Sequence, residues 1–360
     1  LRKISGGTFM TLSEALSKIQ PADPNAVAQA KIKWDAVGKP LGSLGLLEDA
    51  VSKMAGMFRS PTFSIEKKCV VVMCADNGVV AQGVSQSGQE VTAIVARNLA
   101  ARRSSVCKMA KIAGAQVYPV DIGIAVPVEE PGIAQRCVRR GTRDMAVEPP
   151  LTRSEVIQAI EVGIGIAEEL FRSGVHLLAT GEMGIGNTTT SSAVLSVLLQ
   201  RSPQEITGRG AGLSTEGLLR KQEVIAFALE RYQPDPFDSI DILCKVGGLD
   251  IAGMCGVFLG GALCGIPILV DGLISAAAAM LAVNLHPSVS DYLLASHLSS
   301  EPAAKPAMEA LGLTPLIHAG LHLGEGTGAV ALMPLLDMAM TVYDGDTFDD
   351  IHLEAYTPQI

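Results

Sequence analysis

Glu325 stands among three glycines in Leu323-Gly324-Glu325-Gly326-Thr327-Gly328, ahead of the apolar run 329–339. A lone carboxylate there is closely approachable, and its aliphatic neighbours raise its pKa toward that of a working general base. Read more plainly, it is a carboxylate that stabilises a helix N-terminus. A second carboxylate, Glu182, lies in Thr180-Gly181-Glu182-Met183-Gly184-Ile185-Gly186-Asn187-Thr188-Thr189-Thr190, between an apolar run and a helix. Free backbone N–H groups and the helix dipole attract anions to such a loop. Asn187 or Thr188 is expected to cap the helix, and the hydroxyls of Thr188 and Thr189 could hold a phosphate. A glycine turn with a capped helix would look the same. The segment lacks the lysine of GxxxxGK[ST] and the spacing of GxGxxG. A carboxylate inside an anion-attracting loop suits a substrate that carries hydroxyls or positive charge beside its phosphate. A third segment, Lys39-Pro40-Leu41-Gly42-Ser43-Leu44-Gly45, could offer the N–H groups of Gly42 and Ser43 to an anion, or simply connect two helices.

These loops need a scaffold. The chain has 360 residues, 48% hydrophobic and 18% charged, which excludes disorder and allows two domains or one large α/β unit. A net charge of -9 without a basic stripe argues against a nucleic-acid partner. Aromatic residues make up only 4%, so the core is aliphatic and suits parallel strands wrapped by helices. The seven cysteines form no CxxC pair and read as reduced thiols of a cytoplasmic protein. The six histidines show neither HExxH nor paired spacing, so no metal site is expected. Residues 1–9 precede the first methionine, Met10, and read as an appended remnant outside the fold. Residues 251–270 lack any charged or hydroxyl side chain, yet five glycines and Pro267 make them a buried helix followed by a strand rather than a membrane span.

Short apolar runs at 69–75, 117–124, 175–180 and 266–270 each end in a polar, glycine-bearing loop. Helical patterns fill 90–113, 154–173, 188–199, 216–231 and 274–285. This alternation predicts an α/β fold: a Rossmann-like parallel sheet with helices on both faces over 66–285, with ligands bound beyond the carboxyl ends of its strands. Residues 10–65 and 286–360 are expected to form a small helical domain from both chain ends.

KPLGSLG (39–45), VMCADNGV (72–79), TGEMGIGNTT (180–189), KVGGLDIAGM (245–254), LVDG (269–272), SHLSSE (296–301) and LGEGTGA (323–329) occur in this order. Together they resemble the nicotinate-nucleotide:dimethylbenzimidazole phosphoribosyltransferase family over essentially all of 11–345. The resemblance implies transfer of phosphoribose from nicotinate mononucleotide to an aromatic acceptor, making the α-riboside phosphate of a cobamide lower ligand. It also implies a dimer and no cofactor. Glu325 is then the general base and Glu182 the carboxylate near the ribose. Gly184, Asn187, Thr188 and Gly324 face the nucleotide, and Lys221 and Ser299 match phosphate positions. Ser87 matches a serine near the acceptor, while Met183 and Leu323 line the aromatic slot.

Departures bear on the acceptor. Asn77 replaces a histidine, His322 an arginine, and Gly88-Gln89 a proline-lysine pair, while Val95 stands where benzimidazole-using members carry glutamine. Gly88 and Val95 reshape the acceptor side and remove an amide, which favours acceptors with fewer polar atoms, such as phenol or p-cresol. Family members that use phenols act as heterodimers of two related chains. The same departures admit a non-catalytic or regulatory subunit, against which the retention of Glu182, Lys221 and Glu325 counts. A dinucleotide-dependent oxidoreductase is a weaker reading, because the glycine spacing at 181–186 is wrong for it.

Overall fold

Short aliphatic runs assemble into one sheet in the computed structural model, which describes residues 10–356 and the backbone of a two-stranded ladder, β1 (Lys3–Ile4) against β2 (Gly7–Thr8). The expectation that residues 1–9 stand apart from the fold thus falls largely outside the described residues. The sheet strands are β3 (Lys68–Ala75), β4 (Ala115–Gly123), β5 (Ala134–Gln135), β6 (Leu177–Met183), β7 (Ile268–Val270) and β8 (Leu293–Ala295). Their spatial order is β5-β4-β3-β6-β7-β8, and every pair is parallel. All of β3 is buried, as a central strand covered on both faces requires. The order runs outward in opposite directions from β3 and β6, so the crevice beyond their carboxyl ends is a topological switch point.

The apolar run after residue 250 is the helix Leu249–Cys264, which packs on helix Arg153–Arg172 and on β3, β4 and β6 before the chain turns at Gly265 into β7. Among the described residues no helix is long and apolar enough to cross a membrane.

Two expectations change. The helical pattern at 90–113 is two helices, Glu90–Ala100 and Ser105–Ile112, separated by Arg102 in the left-handed region at φ 58°. Strand β8 follows the expected domain boundary at 285/286 yet pairs with β7, so the sheet extends to residue 295. Segments from the two ends of the chain meet each other. The Trp34 and Tyr343 rings lie 5.0 Å apart, and the Tyr343 hydroxyl donates to Pro61 O at 2.8 Å.

Candidate active site

Beyond the carboxyl ends of β6 and β7 a cleft of about 420 Å³ opens. Eleven of the residues singled out in the sequence line it: Glu182, Met183 and Gly184 at the end of β6, Asn187 and Thr188 on the next helix, His322, Leu323, Gly324 and Glu325 in one loop, with Val95 and Ser299. The helix Asn187–Leu198 starts differently from expectation. Its N-cap is Gly186 at φ 92°, with no side-chain cap. Asn187 is instead the first helical residue, and its amide Nδ2 donates to Glu182 Oε2.

Glu182 is held in a desolvated setting. Burial pushes its pKa up to about 8, with the Asp250 carboxylate adding to the rise and the Asn187 amide opposing it. The adjoining glycine loop is unusually wound. Gly324, Glu325 and Gly326 all occupy the left-handed region, at φ 88°, 62° and 89°. For Glu325 that conformation costs about 1–2 kcal/mol, a strain found where function holds a side chain in place. Burial raises the Glu325 pKa, while the Val106 N–H, donating to Oε2 at 3.3 Å, opposes that rise. Val106 lies in the first turn of the second of the two helices split at 101–104, so that break supplies the N–H facing Glu325.

Gly181 explains how closely β6 and this loop approach. A Cβ there would lie 2.6 Å from the Glu325 carbonyl carbon and 2.9 Å from the Gly326 nitrogen. Only a residue without a side chain brings both carboxylate-bearing segments to one cleft wall.

A family model described as a phosphoribosyltransferase matches residues 19–352. A nicotinate-nucleotide–dimethylbenzimidazole phosphoribosyltransferase of Acetivibrio thermocellus is 47% identical over 339 residues, covering 94% of this chain and 96% of that protein. An Escherichia coli protein of the same name is 41% identical over 340 residues, covering 93% and 94%. The crystal structure of CobT from Thermus thermophilus matches with a TM-score of 0.88 at 38% identity, covering 92% of this chain and 99% of that one. The chain belongs to the nicotinate-nucleotide–dimethylbenzimidazole phosphoribosyltransferase family.

The family motifs also bring in residues that had no assigned role. Asp271, at the carboxyl end of β7, lines the cleft and accepts the Ala329 N–H at 2.8 Å, with His297 Nδ1 4.0 Å away. Burial raises Asp271 to about 7, against several backbone N–H groups, and lowers His297. Asp250, fully buried behind Gly184, is likewise raised to about 7 by burial. The signal was present in LVDG and SHLSSE, since both follow strands at their carboxyl ends, but β8 is too short to read from pattern.

Other family positions lie outside the cleft lining. Lys221 is fully buried, and its Nζ donates to Thr188 Oγ1 at 2.9 Å and to Gly208 O at 3.3 Å. Burial lowers its pKa to about 8. It therefore supports Thr188 from behind instead of facing the cleft. Ser87 and Gly88 precede the helix that carries Val95 without lining the cleft. The segment 39–45 connects the helices Pro24–Ala36 and Leu46–Phe58, with Lys39 paired to Glu48 at 2.6 Å.

The buried carboxylates set a pH dependence of stability. Glu182, Asp250 and Asp271 have folded pKa values of about 8, 7 and 7, above their ordinary values. Between ordinary and raised values the folded state binds more protons than the unfolded one, so stability falls as pH rises. His297 and, toward pH 8, Lys221 have lowered pKa values and oppose this, against three raised carboxylates. The urea midpoint of the free protein is expected to fall steadily from pH 5 to pH 8. Asp250→Asn should flatten that slope, and a midpoint rising over this range would contradict the assignment.

Proposed function

We propose that the chain transfers the phosphoribosyl group of nicotinate mononucleotide to an aromatic acceptor, with inversion at C1′. The observation that carries this reading is the convergence of Glu182 and a desolvated, conformationally strained Glu325 on one cleft beyond the carboxyl ends of β6 and β7. The names of the relatives support nicotinate nucleotide as donor and dimethylbenzimidazole as acceptor.

Chemically, an acceptor atom forms a bond to C1′ as the bond from C1′ to the pyridinium nitrogen breaks. The bonding pair returns to the ring and neutralises its positive nitrogen, so the leaving group needs no proton. The acceptor's proton passes to the Glu325 carboxylate, whose raised pKa brings it nearer to the acceptor's. Glu182 faces the ribose, and the Ser299 and Thr188 hydroxyls hold the phosphate, with Lys221 fixing Thr188 from behind. Attack from the face opposite nicotinate converts a β-glycosidic bond into an α one. The product is the α-riboside phosphate of a cobamide lower ligand, made by a cytoplasmic enzyme acting as a homodimer or as a heterodimer with a related chain. The purified chain alone is expected to release nicotinate only when an acceptor is supplied. Silence that a second, related subunit relieves would instead favour the regulatory-subunit reading.

Val95 favours a second reading of the acceptor, because its side chain lines the cleft where an amide would offer a hydrogen bond. A phenol has one O–H for Glu325 to accept and no second ring nitrogen to satisfy, so the apolar wall leaves nothing unpaired. In competition between phenol and 5,6-dimethylbenzimidazole, both ribosides are expected. Val95→Gln should shift the product ratio toward the benzimidazole by roughly tenfold, the effect of one hydrogen bond regained in a closed site. An unchanged ratio makes Val95 a packing residue only.

A further inference from the structure

A second cavity, of about 490 Å³, lies at the opposite end of the sheet. Its wall includes His176, just before β6, and Ile266, just before β7, so it sits at the amino ends of the strands whose carboxyl ends form the cleft. The proposed reaction makes no use of it.

Its chemistry is distinctive for this chain. Although the protein carries a net charge of -9, none of the residues lining this cavity is Asp or Glu, while Lys18, Arg59 and His176 all face it. The Phe58 and Phe63 rings stack on one wall at 4.9 Å and 17°, and the His176 ring meets Phe58 edge-on at 6.3 Å. Aromatic residues make up only 4% of the sequence, yet Phe171 and Tyr292 also line this cavity.

Arg59 is the most informative residue. It caps the helix Leu46–Phe58 in the left-handed region at φ 55°, a place where glycine is the default. The chain accepts the backbone cost of a side chain there, and that side chain is a guanidinium beside the cavity. One of its five N–H donors reaches Pro21 O at 2.6 Å, which orients the planar group. A guanidinium and an aromatic wall in one cavity match a planar acid whose ring packs against that wall.

We propose that this cavity is a binding site for a small aromatic carboxylate, held by Arg59 and Lys18 at its acid group and by the Phe58–Phe63 stack at its ring. The site is separate from the cleft and does not depend on the reaction assigned there.

The test uses the full chain and 2-naphthoate, a two-ring carboxylate, followed by isothermal titration calorimetry. The neutral 2-naphthalenemethanol serves as the charge control. The double variant Lys18→Gln, Arg59→Gly suits this test, because glycine fits the left-handed position and both residues are at the surface. Binding to wild type is expected to exceed that of the neutral alcohol by about tenfold or more, and to weaken at least as much in the double variant, the effect of losing a charge-assisted contact. Glu325→Gln should leave it unchanged. Photolabelling with 4-azidobenzoate should mark peptides containing Phe58, Phe63 or Cys264 rather than the cleft loops. Equal affinity for acid and alcohol, undiminished binding in the double variant, or labelling confined to 181–188 and 321–326 would each overturn the proposal.

Discussion

Glu325→Gln lowers kcat by about 10²–10⁴, the range for a lost general base, while leaving the Michaelis constant for nicotinate mononucleotide close to wild type. The amide keeps the size of the carboxylate and can still meet the Val106 N–H through its oxygen, so the three-residue left-handed loop has no reason to rearrange. What is lost is the capacity to take a proton. The pH profile makes the claim specific. In wild type kcat rises with pH through an apparent pKa above 4.5, because burial lifts Glu325 above its ordinary value. In the glutamine variant that rising limb disappears. A merely positional role for Glu325 would leave the limb in place, and an unchanged kcat would remove the residue from the mechanism.

Gly181→Ala is expected to have the second-largest effect, although Gly181 carries no chemistry of its own. Its new Cβ would lie 2.6 Å from the Glu325 carbonyl carbon and 2.9 Å from the Gly326 nitrogen. Both are backbone atoms, so no rotamer change relieves the clash, and the Gly324–Gly326 loop must move away from β6. A displacement on the order of 1 Å at the base costs about 10²-fold in kcat. The overpacking itself costs about 1–3 kcal/mol, visible in the urea midpoint. Steady-state kinetics beside a denaturation curve separate the two effects: the protein stays folded, and kcat falls more than nucleotide binding does. A kcat equal to wild type in a folded variant would show that the close approach of the two segments does not position the base.

Much of the scaffold was legible because its signals are local. The runs 69–75 and 117–124 are long and aliphatic enough to read as buried strands, and the glycines around Glu182 and Glu325 mark loops at their ends. Non-local features were harder. β5 and β8, of two and three residues, are too short to carry a pattern. The break between Glu90–Ala100 and Ser105–Ile112 lies at Arg102-Arg103-Ser104-Ser105, where the serine before the second helix was an available start signal hidden by continuous helical periodicity.

Burial decides the remaining cases. Lys221 was matched to a phosphate position by the family resemblance alone, and the packing of its helix shows that it reaches Thr188 from behind. Asn187 looked like a cap, yet Gly186 takes that position and leaves the amide for Glu182. Asp250 and Asp271 matter through the neighbours that desolvate them, which depend on strand order and not on adjacent residues. Chemistry-bearing residue types can be read from a chain, whereas the direction each side chain faces follows from its tertiary partners.

The most direct measurement is NMR analysis of the product formed when the purified chain is mixed with nicotinate mononucleotide and 5,6-dimethylbenzimidazole. The account predicts stoichiometric nicotinate and a riboside 5′-phosphate joined through a ring nitrogen of the acceptor, with the α configuration at C1′. A β-riboside, or nicotinate released with free ribose 5-phosphate and no acceptor adduct, would contradict it.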